Sequence, residues 1–213
     1  ADTTVNCEDD RTSANTGVAT ATDNCDRDVT ITESDSVKAG TCPQEEVIKR
    51  MWVGTDDCGN ESRCGQIVSV VDDESPEITC PADTTVNCED DSSSANTGVA
   101  TATDNCDREV TITESDSVEA GTCPQEEVIT RTWTGTDDCG NASRCNQIVS
   151  VVDDEAPEIT CPADTTVNCE DDRTSANTGV ATATDNCDRD VTITESDSVA
   201  AGSCPQEEVI TRT

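Results

Sequence analysis

The sequence predicts an all-β protein, built as tandem Ig-like β-sandwich domains with an 81-residue period and stapled by disulfides. Three observations carry this. Short runs of Val, Ile and Thr alternate with polar residues, as half-buried strands do. The segment ADTTVNCEDD recurs at Ala1, Ala82 and Ala163. Fifteen cysteines fall at fixed places in that period. No segment of ten or more residues combines helical periodicity with a cap.

A period of 81 residues is too long for a solenoid unit and suits an array of small domains. The first two copies differ at ten positions, for example Lys49 against Thr130 and Met51 against Thr132. The expected domains are 1–76, 77–157 and 158–213, the last stopping inside a strand-like run at Thr213. Trp52 and Trp133 are the only aromatic residues, so each core is thin. A thin core needs bridges, metal or both.

The net charge is −35. Such acidity argues against nucleic acid and anionic membrane as partners and favours cations. Six cysteines per period point to an oxidising compartment. Zinc is disfavoured, because histidine is absent and the close pairs Cys58/Cys64 and Cys80/Cys88 lack CxxC spacing. The sequence shows no signal peptide, membrane-spanning run or basic patch, as expected of a mature internal piece of a secreted chain.

The second repeat justifies the elements in order. Ile78–Cys88 (ITCPADTTVNC) reads as a first strand with a proline kink, which suits a sheet edge. Glu89–Gly98 is a polar turn. Val99–Asp104 alternates as a strand, 105–108 is a loop, and Glu109–Ser115 alternates again. An irregular connection follows over Asp116–Gln125. Glu127–Asp137 is the longest strand, placing Ile129, Arg131, Trp133 and Gly135 on one face. Asp138–Arg144 turns the chain into a last strand, Cys145–Val152, before a linker at Asp153–Pro157.

Strand direction places each cysteine at one end of its domain. Cys80, Cys106, Cys139 and Cys145 fall at the top, where the chain enters, and Cys88 and Cys123 at the bottom. A bridge needs Cα atoms within about 7 Å. End matching pairs Cys88 with Cys123 and leaves two pairings at the top. Adjacency of first and last strands selects Cys80–Cys145 and Cys106–Cys139. The same register gives Cys7–Cys42, Cys25–Cys58 and Cys169–Cys204. Cys64, Cys161 and Cys187 are then expected to lack partners within the 213 residues. By the same register, Cys64 would take a cysteine two residues before Ala1.

The segments TATDNC, GTDDCGN, IVSVVDDEAP and EITCPADTTV resemble the HYR (hyalin repeat) family. They are closer still to the HYR-like repeats of long bacterial surface proteins of Bacteroidetes gliding and adhesion type. The resemblance spans the whole chain and implies an Ig-like fold, a role in extracellular adhesion or matrix, and no catalysis. Six cysteines per repeat exceed the usual module, so bridging substitutes for hydrophobic packing here.

Acidic clusters are the candidate metal ligands. Glu8, Asp9, Asp10, Asp72, Asp73 and Glu74 fall at the bottom of the first repeat. Asp104, Asn105, Asp107, Asp137, Asp138 and Asn141 fall at the top of the second. Asp153, Asp154 and Glu155 repeat the first linker at the next joint. Carboxylates crowded this way repel unless a cation sits among them, and Ca²⁺ takes six to eight such oxygens. A merely solvated acidic surface is the competing reading, and no EF-hand spacing is present.

Asn60 and Asn141 sit in N-x-S motifs, and Ser36, Ser117 and Ser198 in Asp-Ser-Val motifs that resemble O-glycan acceptors. Enzyme chemistry is not expected, since His and Tyr are absent and no unique residue breaks the repeat. The expected role is a stalk segment of a secreted or cell-surface filament or adhesin, stiffened by disulfides and by Ca²⁺ between domains. Its expected partners are neighbouring repeats and other copies in a filament. A module binding a surface glycan or protein, or a subunit of an interlocked polymer, is the alternative.

Overall fold

The computed structural model describes residues 1–25 and 27–213. The first repeat contains β1 (Thr3–Asn6), a one-turn helix α1 (Ser13–Thr16), β2 (Thr30–Ala39), β3 (Glu46–Thr55) and β4 (Glu61–Val71). The second adds a short strand at its start and another after its helix. It runs β5 (Glu77–Thr79), β6 (Thr84–Asn87), α2 (Ser94–Thr97), β7 (Thr101–Thr103), β8 (Thr111–Ala120), β9 (Glu127–Thr136) and β10 (Ala142–Val152). The third contains β11 (Glu158–Thr160), α3 (Ser175–Thr178), β12 (Thr182–Thr184), β13 (Asp197–Ala201) and β14 (Glu208–Arg212).

The fold is all-β and sandwich-like. Its main sheets have the orders β1-β4-β3-β2 and β6-β10-β9-β8, each with four strands. β3 pairs antiparallel with both neighbours, opposing Trp52 to Cys64 on one side and to Glu33 on the other. β1 joins parallel to β4, Thr3 opposite Val68 and Asn6 opposite Val71. The small pairs β5–β7 and β11–β12 are antiparallel.

Two expectations about the strands are corrected. ITCPADTTVNC is not one kinked strand, because Pro81 has no N–H to extend a ladder and splits it into β5 and β6, which join different sheets. Gly98, at φ 103°, lets the backbone approach this proline; a Cβ there would lie 3.0 Å from the Cβ of Pro81. The irregular connection expected over Asp116–Gln125 is shorter than that, since β8 continues to Ala120 and only 121–125 remain irregular.

Contacts divide the chain into two units. One comprises Ala1–Asp83, Thr97–Ser117 and Thr130–Ile148, and the other Thr84–Asn96, Val118–Ile129 and Val149–Thr213. In the first, Ile48, Val68 and Val70 form a small apolar cluster with Val5 and Cys7 against it. In the second, Ile129, Val149 and Val151 do the same with Val86 and Cys88. The alternation behind this is the one read from the sequence, with Ile129, Arg131, Trp133 and Gly135 all buried along β9.

A polar core completes each packing. Arg50, 2% exposed, grips Asp35 through Nε and Nη2 at 2.8 Å and donates to Thr16 Oγ1 and the carbonyl of Arg11. Gln66 Nε2 donates to the carbonyls of Ala1 and Thr16, both at 2.8 Å. One arginine and one glutamine thus fasten the α1 turn onto the sheet, where apolar side chains are scarce. The fork of the guanidinium suits this work, because it binds a carboxylate and two loops at once.

Candidate metal centre at the bridged joint

The cysteine pattern overturns most of the expected pairings. Cys80–Cys145 closes within the second repeat, with Cα atoms 5.8 Å apart. The other bridges cross from one repeat to the next: Cys7–Cys106 at 5.9 Å, Cys42–Cys139 at 5.1 Å and Cys88–Cys187 at 5.9 Å. The expected Cys7–Cys42, Cys88–Cys123 and Cys106–Cys139 are therefore replaced. Cys25, Cys58, Cys169 and Cys204 are free thiols, so Cys25–Cys58 and Cys169–Cys204 are not formed either. Cys64 and Cys161 are unbridged, whereas Cys187, expected to be alone, is held by Cys88.

The physical reason is adjacency. End matching assumed that two cysteines at one end of a domain face each other. At the first joint Cys7 and Cys42 instead face the Cys106 loop and the Cys139 turn of the following repeat. Asn6 strengthens the contact, its Oδ1 accepting from Asn105 Nδ2 at 3.1 Å while its Nδ2 donates to Asp73 at 3.2 Å. At the second joint Asn87 repeats both bonds with Asn186 and Asp154. The sequence reading missed these asparagines; their place directly before Cys7 and Cys88 was the available signal.

Beside the Cys7–Cys106 bridge lie three carboxylates. Asp72, Asp104 and Asp137 each bring an oxygen within 4.8 Å of the others. Asp72 closes the first repeat just after β4, Asp104 follows β7, and Asp137 follows β9. Asp104 Oδ1 accepts from the amides of Cys106 and Asp107, and Asp137 Oδ1 from those of Cys139 and Asn141. Asn141 Nδ2 donates to Asp137 Oδ2 at 2.9 Å and to the Asp72 carbonyl at 3.0 Å.

What remains is unusual for a folded interior. Asp72 is 5% exposed, and neither of its carboxylate oxygens has a hydrogen-bond partner at normal geometry, only the backbone amide of Glu74 pulling weakly on it; Asp104 Oδ2 is likewise buried and unpartnered. Burial, reinforced by the charges of Asp104, Asp137 and Asp107, raises the Asp72 carboxyl above its usual range. A buried anion without a partner is costly. Oxygen donors of this hardness fit Ca²⁺ rather than a thiolate-seeking metal. The sulfurs of Cys7 and Cys106 are consumed by their bridge and do not ligate.

Of the other candidate ligands, Asp107 is buried but its Oδ2 caps the amide of Asp138 at 2.9 Å. Asp73 is held by Asn6, and Glu74 and Asp138 are exposed. Asn105 is spent on Asn6. At the second joint Asp153 and Asp185 come together beside Cys187, and Asp153 Oδ1 is again buried without a partner. Asp154 is engaged by Asn87, and Glu155 is exposed.

The glycan candidates also change. Ser36, Ser117 and Ser198 lie on exposed regular strands β2, β8 and β13 rather than in a loose connection. Asn141 does not fit as an acceptor, because the Nδ2 that would carry the sugar is spent inside the joint. Asn60 is exposed on its turn, its Nδ2 donating to Asp56 at 2.6 Å.

A disulfide-stapled, all-β array of repeats is the class this architecture defines, and bridges of this number mark an oxidising compartment. Within it, residues 76–151 match the HYR-like domain with 4 cysteines. Comparison with curated proteins gives no match. Among solved structures, Drosophila N-cadherin EC1-4 aligns at TM-score 0.30 and 15% identity, over 64% of this chain and 45% of that one. The protocadherin gamma B4 extracellular domain aligns at TM-score 0.31 and 16% identity, over 62% of this chain and 28% of that one. The chain thus spans less than half the length of these structures.

Proposed function

We propose that this chain is a structural segment of an extracellular filament or adhesin stalk, with repeats at 1–76, 77–157 and 158–213. In this reading each joint is stapled by disulfides and stiffened by Ca²⁺. The observation that carries it is the direction of the bridges. Cys7–Cys106, Cys42–Cys139 and Cys88–Cys187 each tie one repeat to the next. A bridge that crosses a joint adds little to an isolated domain but resists separation of neighbours under load. Both joints among the described residues carry such a bridge, as a series of domains under tension requires.

Calcium enters through Asp72, Asp104 and Asp137, with Asp153 and Asp185 as the reduced set at the next joint. The bound ion would supply the positive charge that these carboxylates lack. The chain's part is to hold the oxygens together: the Asp104 and Asp137 turns are fixed by their own amides, and Asn141 positions Asp72 from behind.

The test is thermal unfolding of the full oxidised chain with Ca²⁺ and then with chelator, alongside Asp72→Asn. Calcium should raise Tm at neutral pH, and Asp72→Asn should abolish most of that rise. The pH dependence has a definite sign. The folded pKa of Asp72 is raised, so without the ion the fold gains stability as pH falls through it and loses stability as pH rises. Protons and Ca²⁺ compete for one group, so the calcium-induced rise should shrink on acidification. A Tm indifferent to calcium at every pH would leave the acids as solvated surface.

A further inference from the structure

We propose that reduction of the Cys7–Cys106 bridge turns its surroundings into a thiolate site for a Zn²⁺-class ion, and that Cys88–Cys187 does the same within its own unit. This goes beyond the stapled-stalk reading; it rests on these bridges but not on bound Ca²⁺. Cys7 Sγ, Cys106 Sγ and an oxygen of Asp72 all lie within 4.8 Å of one another. Asp72 also belongs to the trio with Asp104 and Asp137, so one buried carboxylate serves two sets of donors. It is 5% exposed and neither oxygen has a hydrogen-bond partner at normal geometry, which leaves both open to an ion. Asp104 Oδ2 is buried and unpartnered beside it. In the other unit Asp153, Asp185 and Cys187 stand within the same distance of one another, and Cys187 is bonded to Cys88. Asp153 Oδ1 is again buried without a partner.

Two sulfurs and two carboxylate oxygens make the kind of four-donor set that Zn²⁺ takes tetrahedrally. With Zn–S about 2.3 Å and Zn–O about 2.1 Å, tetrahedral ligand atoms stand roughly 3.5–3.8 Å apart, inside the spacing found here. The Cα atoms of each cysteine pair are 5.9 Å apart, close enough for both sulfurs to reach one ion. Supporting groups are in place as well. Asn105 Nδ2 lies 3.9 Å from Cys7 Sγ, and Asn186 Nδ2 lies 3.9 Å from Cys88 Sγ, where an N–H steadies thiolate charge. The amides of Cys106 and Cys187 donate to Oδ1 of Asp104 and Asp185 at 2.8 and 2.9 Å, fixing each carboxylate beside its sulfur. Among the described residues, no such cluster of donors includes Cys42, Cys80, Cys139 or Cys145. Local spacing hid these sites because the paired cysteines are 99 residues apart.

The switch needs a reductant, and a small dithiol supplies it. One of its thiolates attacks a bridge sulfur and expels the other cysteine. Its second thiolate then closes a ring on the first and releases the attacked cysteine. The bridge gains two electrons and two protons, and the dithiol becomes a cyclic disulfide. The ion displaces those two protons as it binds both sulfurs. Bridged, the same place offers only oxygens, which suit Ca²⁺; reduced, it offers soft sulfur, which selects Zn²⁺. The redox state of one bridge thus decides which metal its neighbourhood takes.

The experiment reduces the full chain with a dithiol under oxygen-free conditions, desalts it, and adds Zn²⁺ or no metal. Iodoacetamide then labels the thiols, and a peptide map reads each cysteine. Zn²⁺ should slow labelling of Cys7, Cys106, Cys88 and Cys187 at least about ten-fold, since a metal-bound thiolate is a poor nucleophile. Cys42, Cys80, Cys139 and Cys145 should label equally with and without it. Asp72→Asn should weaken protection at Cys7 and Cys106 while that at Cys88 and Cys187 remains. Cd²⁺ in place of Zn²⁺ should give thiolate-to-metal charge-transfer absorption, cut to roughly half by Cys7→Ser with Cys106→Ser. No protection, or protection of all these cysteines alike, overturns the proposal, whether or not the reduced chain stays folded. A bridge map of the unreduced chain separates this failure from that of the stapled-joint reading. If Cys7–Cys106 and Cys88–Cys187 are found there, only the thiolate site has failed; if they are absent, the stapled joint itself has.

Discussion

The second and third repeats present nearly the same residues in different company. TTVN forms a parallel strand at Thr84–Asn87, paired with β10 from Val149 to Val152. The same four letters at 165–168 are not a strand. TITES is strand within β8, yet its copy at 192–196 is not, and β13 begins only at Asp197. The sequence stops at Thr213, ahead of the positions that form β10 one repeat earlier. Arg131 and Arg212 make the same bonds to an aspartate and a threonine, but Arg131 is 3% exposed and Arg212 22%. The first repeat teaches the same lesson from the other side: TAT at 20–22 is not a strand, while β7 and β12 form against β5 and β11. Propensity proposes a strand here, and a paired partner makes it.

The sharpest way to break this comparison is amide exchange. Protection at Thr84–Asn87 should exceed that at 165–168 by about a thousand-fold, since an amide in a core ladder opens only with its sub-domain. Adding the peptide ASRCNQIVSVV, the sequence of β10, should raise protection at 165–168 and along β14. No gain with excess peptide would show that something other than the missing partner strand separates the repeats.

A bridge deletion tests the two joints in the same way. Among the described residues the first joint holds two bridges and the second Cys88–Cys187, the register counterpart of Cys139 falling beyond Thr213. Cys42→Ser with Cys139→Ser converts the first joint to the pattern of the second, at a cost of about 3 kcal/mol. Urea unfolding followed by Trp52 and Trp133 fluorescence measures it, and a loss well under 1 kcal/mol would show that this staple is redundant.

The smallest effect expected is at the buried arginines. Arg131→Ala orphans Asp116, which is partly solvated, so the loss should be near 2 kcal/mol rather than the full cost of a buried charge. Arg212→Ala should cost less, because its site is already open. Arg212 also holds the Asp197 carboxyl below its ordinary range, so its contribution persists above that range and fades as pH falls through the lowered pKa. Equal losses at the two sites, read as stability of β9 and β14 by exchange, would contradict the difference in burial.

Much of this was legible in the residues themselves. The 81-residue period, the alternation along β9 and the oxidised state follow from spacing and side-chain type, because strand periodicity and thiol chemistry are local. The crowding of acids at domain ends was legible too, and Asp72, Asp104 and Asp137 were among those singled out. Tertiary structure alone decided which of these acids meet, which stay exposed, and that Asn141 works inside the joint instead of carrying a sugar. It also decided that cysteines sharing a domain end turn outward to the next repeat. A covalent bridge reads distance between Cα atoms, and a sequence of repeats contains several ways to satisfy spacing. Only the packing of one repeat against the next brings Cys7 to Cys106 and leaves Cys42 with Cys139.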